Sequence, residues 1–439
     1  TAFGASVTLN CDTFENMEVS KQWFSVWLYF AVMMSAGKDS EVQDLQEGRD
    51  GRATVAWKQL ESLFDKLVVG DGELAIFQAI DPDFKNQIVD AGNLKSSLFL
   101  KRGEMDNYAS PARHLIARDT YHYEIDGHPA FSVIAQLGCP FECGFCGGRD
   151  SNVFRVTRTR STESIVAEIE QEVKDSIRRG NPLSGVMFYD DELNVVPTGL
   201  ENLCRALINL QERLGMEMRF RGFVKAELFT PQQAELMYKA GFRVLLSGVE
   251  SGSNKLLLAM KKHTSREINN RCLTYAQNAG LKFKALMSLG HPGESKETIE
   301  ESVEWVLTNR PDDVDWTIIT QYPGSPYYDR SIYVPGEDAW LYEIKLPSGE
   351  VARLWSRAID YTQNAEYYKG IPGQYEAYVW TDYLSPEELV RERDRAESTA
   401  REALGLAPIT EVSSLQFEHS MGQKLPSNIL RQSGVIYEG

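Results

Sequence analysis

The sequence predicts an α/β fold built around a curved, barrel-like parallel sheet. From residue 131 to about residue 323, short apolar runs alternate with longer amphipathic segments. Strands that alternate with helices pair in parallel through right-handed crossovers, so a partial (β/α)6 barrel of about 200 residues is expected. The runs have the length of buried strands, and six are predicted: 131–138, 185–191, 218–224, 242–249, 282–290 and 314–322.

Capping residues mark the helix ends in this region. Residues 230–233 (TPQQ) and 264–267 (TSRE) predict capping boxes, with Pro231 at the first helical position. Helices are expected to stop at three glycines, which are Gly180, Gly241 and Gly280. In such sheets the carboxyl ends of the strands meet at one edge, so side chains that follow the strands are expected to share a site there.

Smaller units are expected on either side of the barrel, since 439 residues exceed what one core usually supports. Residues 1–95 are predicted to form an N-terminal Rossmann-like domain that is truncated or degenerate, and residues 96–130 a polar linker. The barrel extends over 131–339. Residues 340–439 form a small C-terminal region on the substrate side, rich in Tyr and Trp and helical over 385–404.

Charge and hydropathy exclude several kinds of partner. A net charge of −17 and a pI near 5.0 would repel a phosphate backbone, so a nucleic-acid partner is disfavoured. The apolar segment 23–37 is shorter than the roughly 20 residues of a membrane span and is predicted to be a buried helix. The chain opens at Thr1 without an initiator methionine, which is consistent with a fragment.

Cysteine usage indicates a metal site in a reducing compartment. Three of the six cysteines fall within residues 139–146, which suits metal binding better than a secreted disulfide framework. A cytoplasmic location is therefore expected. Cys204 and Cys272 lie in predicted helices and are interpreted as buried apolar residues.

The segment Cys139-Pro-Phe-Glu-Cys143-Gly-Phe-Cys146 is the strongest chemical signal. Three thiolates on one loop can hold three irons of a cubane cluster, whose usual ligands are cysteine thiolates. The fourth iron then stays open to a small ligand. Zinc is the alternative metal, but a closed zinc site takes four ligands, and His122 and His128 are the nearest candidates for the fourth.

With this motif the sequence resembles the radical S-adenosylmethionine (SAM) superfamily over residues 60–330, specifically the subgroup with an N-terminal cobalamin-binding domain. The resemblance implies a [4Fe-4S] cluster on the three cysteines and SAM bound at the open iron, with Phe145 beside the adenine. Reductive cleavage of SAM would yield a 5′-deoxyadenosyl radical that attacks a small organic substrate. An external electron donor such as flavodoxin or ferredoxin is also implied.

A carboxylate motif follows the second strand. Residues 188–194 (FYDDELN) resemble the family's F-x-D-D-x-F/L-N segment, which implies that Asp190 and Asp191 lie near the methionine amino group of SAM. The alternative is a strand-to-helix turn with solvated acids. Lys225, where relatives often carry arginine, would pair with the methionine carboxylate, although lysine cannot reproduce a bidentate arginine contact.

Two glycine-containing motifs follow the fourth and fifth strands. Residues 248–252 (GVESG) match G-x-E-S-G, which implies that Glu250 and Ser251 contact the ribose or methionine of SAM. The alternative for Glu250 is an acidic helix N-terminus. In residues 290–294 (GHPGE), which resemble G-x-P-G-E, Gly290 would shape the adenine end, and His291 is interpreted as a surface or substrate-facing side chain rather than a metal ligand.

The resemblance leaves cobalamin binding open. Residues 52–54 and 64–73 resemble the closing part of the cobalamin-binding domain, with Gly70-Asp71-Gly72-Glu73 in place of a G-E-G-E-like turn. Fewer residues precede the barrel than a complete domain of that type contains. No D-x-H-x-x-G segment occurs, so no histidine is proposed as lower axial ligand.

Four functions follow in decreasing order of support. The first is a radical SAM enzyme with cobalamin-dependent methyl transfer to a small organic molecule. The second is a cobalamin-independent radical cyclase, epimerase or rearrangement enzyme. A tRNA methylthiotransferase is disfavoured because a second three-cysteine set and a basic C-terminal module are both missing from the sequence. A non-catalytic iron-sulfur protein is the fourth.

Overall fold

The computed structural model describes residue 52 and residues 64–108, 110–115, 123–149, 152–322, 324–357 and 375–408. The predicted N-terminal helix 23–37 and His122 lie outside these residues. None of the described helices is long and apolar enough to span a membrane. The chain forms two compact units, of which the first comprises Thr1–Ile116, Gly138–Arg158 and Gln321–Val334, and the second Ala117–Leu137, Thr159–Thr320 and Pro335–Gly439.

The described elements are numbered in chain order. The strands are β1 (Leu67–Gly70), β2 (Ile88–Ala91), β3 (Glu124–Ile125), β4 (His128–Val133), β5 (Gln136–Leu137), β6 (Arg158–Thr159), β7 (Gly185–Phe188), β8 (Arg219–Phe223), β9 (Phe242–Glu250), β10 (Lys282–Leu289), β11 (Asp313–Ile318), β12 (Ile332–Val334), β13 (Ala339–Lys345), β14 (Val351–Ser356) and β15 (Val379–Trp380). The α-helices are α1 (Gly72–Ala79), α2 (Asn152–Arg155), α3 (Thr162–Arg178), α4 (Pro197–Leu214), α5 (Pro231–Ala240), α6 (Asn254–Ala259), α7 (Arg266–Asn278), α8 (Lys296–Asn309), α9 (Pro326–Asp329) and α10 (Pro386–Leu404).

The second unit is built on an open half-barrel sheet in the order β11-β10-β9-β8-β7-β4-β3. All neighbouring pairs from β4 to β11 are parallel, and β3 pairs antiparallel with β4. Helices lie between successive parallel strands, as a βα repeat requires. The predicted α/β class and the six-stranded partial barrel are therefore confirmed.

The predicted strands match the observed ones except at the first. The first barrel strand, β4, ends at Val133, and the short strand β5 intervenes before Cys139, so the cysteine motif does not follow the barrel strand directly. Buried aromatic rings join the next three strands, because Phe188, Phe220 and Phe242 lie with their centroids 5.4–6.0 Å apart. These rings account for the apolar character of the strands in the sequence.

The helix ends follow the sequence with one exception. Thr230 forms the predicted capping box with Gln233, and Gly241 ends α5 in the left-handed conformation. The box predicted to begin at Thr264 is wrong, because α7 begins one residue later and Ser265 accepts the hydrogen bond of the Ile268 N–H. A hydroxyl side chain caps the helix in either register, so the sequence alone did not distinguish them.

The predicted C-terminal helix is α10, and its side chains bind the edge strand of the half-barrel. Arg393 Nε donates to the Trp316 carbonyl (2.8 Å), and Glu397 Oε2 accepts from the Trp316 N–H (2.9 Å). Both side chains are buried. They satisfy backbone groups of β11 that another strand would otherwise have to pair.

The first unit contains the parallel pair β1 and β2, connected by α1. Its core consists of small side chains, namely Val68, Ala75, Ala79, Val89 and Ala91. Gly70 has φ +98°, and a Cβ there would overlap the Ala91 backbone. Arg52, outside this pair, donates to Gln321 Oε1 (2.6 Å) and lies over the Tyr328 ring (4.1 Å to the centroid).

Candidate functional site

The cysteine loop lies in the first unit, and both backbone polar groups of its first cysteine, Cys139, are hydrogen-bonded. The Cys139 N–H donates to the Phe154 carbonyl (2.8 Å), and Arg149 Nη1 donates to the Cys139 carbonyl. A turn closes the loop, since the Cys146 N–H donates to the Cys143 carbonyl (3.2 Å). Backbone contacts of this kind fix the path of the loop without using the thiols.

Tyr327 packs against the middle of the same loop. Its N–H donates to the Gly144 carbonyl (2.9 Å), and a Cβ at Gly144 would overlap the Tyr327 ring. The glycine between the second and third cysteines is thus required by packing. Phe145, predicted to lie beside the adenine, is half-buried.

The donor set of the loop suits an iron-sulfur cluster better than zinc. Cys143 is buried, whereas Cys139 and Cys146 are partly exposed. Of the two histidines considered as a fourth zinc ligand, His128 is hydrogen-bonded to Ser184 Oγ through Nδ1 (2.8 Å). Within the described ranges, no three His, Cys, Asp or Glu side chains are already arranged to hold a metal. The cluster assignment therefore rests on three sulfur donors in one short loop, the donors that such clusters prefer.

In the second unit, Asp190 is tied to the backbone that leads into the cysteine loop. Its Oδ1 accepts from the N–H groups of Ala135 (2.6 Å) and Gln136 (3.0 Å), while its buried Oδ2 has no hydrogen-bond partner. Burial raises the pKa of Asp190 to about 7, against the lowering effect of these two N–H groups. One carboxylate oxygen of Asp190 is therefore committed to holding the backbone of residues 135 and 136.

Asp191 and Glu192 differ sharply in environment. Asp191 is exposed, whereas burial raises the pKa of Glu192 to about 7 even though Lys225 and Lys262 oppose that shift. Gln136 Nε2 donates to the Glu192 carbonyl, which fixes the turn after β7. Asp190, Asp191 and Glu192 therefore lie in three different environments, although they are adjacent in the sequence.

Asn194, the last residue of the same motif, joins the ends of β7 and β8. Its side-chain amide donates to the Lys225 carbonyl (3.0 Å) and accepts from the Lys225 N–H (2.8 Å). The Lys225 side chain is buried and forms an ion pair with Glu227 (2.7 Å). The position of Lys225 is thus set by an asparagine that the sequence analysis did not select.

Glu250 lies in a distorted strand end. The pairing of β9 with β10 shifts register so that Val249 is bulged, and Glu250 has φ +63°. The Ser251 N–H donates to the Val249 carbonyl (2.8 Å), which closes a three-residue turn around Glu250. A non-glycine residue in this conformation is costly and is common at functional sites.

The Glu250 carboxylate belongs to a buried polar network. Oε1 lies 3.0 Å from Lys262 Nζ, and Oε2 accepts from the Ser288 hydroxyl (2.7 Å). Since that hydroxyl has one proton, it accepts from His291 Nε2 (2.8 Å), which requires the Nε2-protonated neutral imidazole. Burial lowers the pKa of His291 to about 3. The interpretation of His291 as a surface side chain is therefore wrong.

The network keeps Glu250 ionised. Burial alone would raise the pKa of this carboxyl, but Lys262 and the Ser288 hydroxyl outweigh burial and hold the pKa below its usual value. A Cβ at Gly248 would overlap Glu250 Oε1, so glycine is needed to admit the ion pair. A buried carboxylate with fixed direction is suited to accepting hydrogen bonds from a bound ligand.

Ser251 and Gly252 serve the packing of α8. Ser251 Oγ and Ser302 Oγ are hydrogen-bonded (3.0 Å), and the Gly252 N–H donates to Ser302 Oγ (2.9 Å). A Cβ at Gly252 would overlap the carbonyl oxygen of Glu301. In the G-x-E-S-G motif, Glu250 thus supplies the carboxylate, and Gly248 leaves space for it. Ser251 and Gly252 pack against helix α8.

Gly290 is held in place by Glu294. Oε2 of Glu294 accepts from the N–H groups of Gly290 (3.1 Å) and His291 (3.5 Å), and Oε1 accepts from the Thr298 hydroxyl (2.9 Å). Gly290 has φ +88°, which favours glycine. Burial raises the pKa of Glu294 to about 7, partly offset by these hydrogen bonds.

Sequence reasoning selected the carboxylates but missed their partners. Within the second unit, the structure joins Glu250 to Lys262 and Ser288, neither of which carries a motif signal. Lys262 stands between Lys261 and His263, which both have positive φ (55° and 59°). Nothing in the sequence of this loop indicates which lysine side chain is buried.

The middle of the chain matches a known protein family. Residues 133–306 match the model of the radical SAM superfamily, so this part of the chain is a radical SAM domain. The predicted membership in an enzyme superfamily is thereby confirmed for the domain that carries the cysteine motif.

Several curated proteins are similar to the chain. An uncharacterized methyltransferase of Pyrococcus horikoshii is 24% identical over 61% of this chain and 58% of its own length. A putative methylthiotransferase of Methanocaldococcus jannaschii is 23% identical over 73% of this chain and 71% of its own. The anaerobic magnesium-protoporphyrin IX monomethyl ester cyclase of Rubrivivax gelatinosus is 27% identical over 44% of this chain and 33% of its own. The chain thus spans between a third and about seven tenths of these relatives.

Among solved structures, the radical SAM methyltransferase TsrM from Kitasatospora setae, with cobalamin and a [4Fe-4S] cluster bound, is 19% identical. The alignment covers 46% of this chain and 38% of that one, with a TM-score of 0.41.

Proposed function

We propose that this chain is a radical SAM enzyme that holds a [4Fe-4S] cluster on Cys139, Cys143 and Cys146. The observation that carries the proposal is the cysteine loop itself. It places three thiols within eight residues, and hydrogen bonds to the N–H and the carbonyl of Cys139 hold its backbone. The three cysteines would hold the cluster, which would supply the electron for reductive cleavage of SAM and so for hydrogen abstraction from a small organic substrate. An external reductant such as flavodoxin or ferredoxin, and a cytoplasmic location, belong to the same proposal.

The residues of the second unit would bind and orient SAM. Glu250 is ionised and fixed in direction, which suits acceptance of hydrogen bonds from hydroxyl or ammonium groups. Asp191 would offer further negative charge to the methionine ammonium, and Asp190 would hold the turn that carries Asp191. Lys225 would attract the methionine carboxylate.

Three further residues have roles in SAM binding under this proposal. Phe145 would contact the adenine, and Gly290 would admit its edge. Ser251 would act mainly through the turn that presents Glu250, since its hydroxyl is bonded to Ser302.

Methyl transfer is the favoured reaction, with cobalamin as the methyl carrier. The Pyrococcus horikoshii relative is named a methyltransferase, and residues 64–73 resemble the end of a cobalamin-binding domain. In the described part of the first unit, however, the Gly70 turn packs on Ala91 and Asp71 binds Arg158. No residue is therefore assigned to cobalamin, and a cobalamin-independent radical cyclisation, epimerisation or rearrangement is the alternative. The second alternative is a tRNA methylthiotransferase-like enzyme, and another relative is named a putative methylthiotransferase.

Metal analysis of anaerobically reconstituted protein tests the cluster. We expect about four irons and four sulfides, the content of a cubane, and loss of the cluster absorbance in Cys143→Ala. Cys204→Ala is the matched control, since this buried thiol lies in α4 and should leave the iron content unchanged. Stoichiometric zinc without iron in the freshly isolated protein would refute the assignment.

Two assays then separate the reactions. Reduced protein should convert SAM to 5′-deoxyadenosine and methionine, and absence of both products would leave a non-catalytic iron-sulfur protein. Equilibrium binding of hydroxocobalamin to the full chain distinguishes the first two functions, because the cobalamin-independent enzyme should show no saturable binding.

A further inference from the structure

A buried ion pair in the first unit has no part in the function described so far. Asp71 Oδ2 and Arg158 Nη1 lie 2.5 Å apart, and both side chains are almost fully buried. Asp71 belongs to the turn between β1 and α1, whereas Arg158 follows the cysteine loop in the sequence. A buried pair of this kind adds little net stability, because the desolvation of both charges offsets their attraction, whereas removal of one partner leaves an uncompensated buried charge.

Arg158 connects three separate segments of the unit. Besides Asp71, its Nη1 donates to the Leu100 carbonyl (3.0 Å), and its Nη2 donates to the Val153 carbonyl (2.9 Å). The Leu100 N–H in turn donates to Asp71 Oδ2 (2.9 Å). The Phe99 ring covers the guanidinium, with its centroid 5.2 Å from Cζ. Removal of Asp71 would leave this cation buried among carbonyl groups.

The segment held by Arg158 is also the partner of the first cysteine. The carbonyl of Phe154, next to Val153, accepts the Cys139 N–H (2.8 Å). Gly138 lies so close to this segment that a Cβ there would overlap the Val156 carbonyl. A displacement of residues 153–156 therefore displaces the backbone of Cys139.

We propose that Asp71 is a positioning residue for the cysteine loop and acts on Cys139 through Arg158. The inference rests on the proposed cluster site. It gives the turn after β1 a role that is independent of cobalamin, since the N-terminal strand pair carries the acid that fixes the cluster loop. Asp71 touches neither a thiol nor a substrate group, so its effect is on geometry.

The test compares Asp71→Ala with Lys66→Met in the full chain. Lys66 also stabilises the first unit, by donating to the carbonyls of Phe84 and Asn86, but these contacts do not include the cysteine loop. In reconstituted protein, Asp71→Ala should release iron to a chelator about tenfold faster than the wild type, the usual size of an effect from residues that support metal ligands. It should also shift the electron paramagnetic resonance spectrum of the reduced cluster. Lys66→Met should neither release iron faster nor shift the spectrum, even where it lowers the melting temperature as much as Asp71→Ala does.

Asp71→Asn keeps the inference testable if the alanine variant does not fold, because the amide oxygen can still accept from the Leu100 N–H while the charge opposite Arg158 is lost. An intermediate iron-release rate is expected for it. Wild-type release rates in both Asp71 variants, or equal acceleration in Lys66→Met, would overturn the inference.

A second readout does not depend on iron. In metal-free protein, alkylation of Cys139 by iodoacetamide, followed by mass spectrometry, should be faster in Asp71→Ala, whereas Cys204 keeps its rate. Zinc in the wild type would refute the proposed cluster but leave this difference intact. Unchanged alkylation of Cys139 would refute the positioning role alone.

Discussion

Lys262 lies 3.0 Å from Glu250 in an ion pair that leaves no room for a side chain at Gly248. Only 7% of the Lys262 side chain and 13% of the Glu250 side chain are exposed, and the strand that carries Glu250 is bulged and ends in a left-handed residue. Gly248, the bulge at Val249 and Lys262 thus act together to hold the ionised Glu250 carboxylate at the end of β9.

Gly248→Ala should abolish the ion pair. The added methyl group would overlap Glu250 Oε1, so the carboxylate must move, at a cost of about 1–3 kcal/mol in unfolding free energy. SAM affinity, measured by equilibrium dialysis, should fall at least about tenfold, equivalent to about 1.4 kcal/mol. Gly199→Ala is the control, because its Cβ would make only ordinary contacts with Val196 (3.6 Å) and lies in helix α4, where alanine is favoured. Retention of SAM binding by Gly248→Ala would contradict this account.

Lys262→Met should make SAM binding sensitive to pH. Lys262 is the largest influence that lowers the pKa of Glu250, and without it burial raises that pKa. The wild-type Glu250 carboxylate stays ionised as the pH falls toward 6, so Glu250 itself should add no pH dependence to SAM affinity between pH 6 and pH 8. The variant should lose affinity as the pH decreases through this range. Parallel pH profiles of the two proteins would show that Lys262 does not act through Glu250.

Glu294→Gln should stabilise the protein at neutral and higher pH. The folded-state pKa of Glu294 is raised from 4.5 to about 7, so the folded state binds more protons and stability falls as the pH rises between these values. Glutamine can accept from the Gly290 N–H and donate to Thr298 without ionising. The gain in unfolding free energy should be about 1–3 kcal/mol above pH 7. It should vanish near pH 4.5 in denaturant titrations, and a gain independent of pH would argue against ionisation as the cause.

Asp190→Ala and Asp191→Ala should differ. The first leaves the buried N–H groups of Ala135 and Gln136 without their acceptor, which should cost about 2–4 kcal/mol of stability. The second removes an exposed side chain and should change stability by less than about 0.5 kcal/mol, while SAM affinity falls. Thermal denaturation and SAM binding measured on both variants check the difference. Equal stabilities would remove the structural role of Asp190.

The sequence was sufficient for the sheet because periodicity and glycine placement reflect local requirements. The strand lengths, the capping box at Thr230 and the helix stop at Gly241 depend on neighbours within a few residues. The start of β4 was harder to predict from the sequence, since residues 128–133 mix polar and apolar side chains at the margin of the sheet.

The partners of the site residues could not be predicted, because they depend on pairs that are distant in sequence. Asn194 binds the backbone of Lys225, and Ser288 binds Glu250, through contacts that no local pattern records. The burial of His291 likewise follows from the strands and helices packed around it. A histidine after a strand end has the same local pattern whether it faces solvent or a serine hydroxyl.

The contacts of Trp316 with Arg393 and Glu397 have a consequence for the order of folding during synthesis. The backbone of β11 emerges from the ribosome well before α10, since the Trp316 and Arg393 positions are separated by 77 residues. Until α10 arrives, one edge of a nearly complete parallel sheet presents unpaired N–H and C=O groups, which favour pairing with other chains. Nascent chains arrested before residue 386 should therefore be the most dependent on chaperones, and release of this dependence should coincide with the appearance of Arg393.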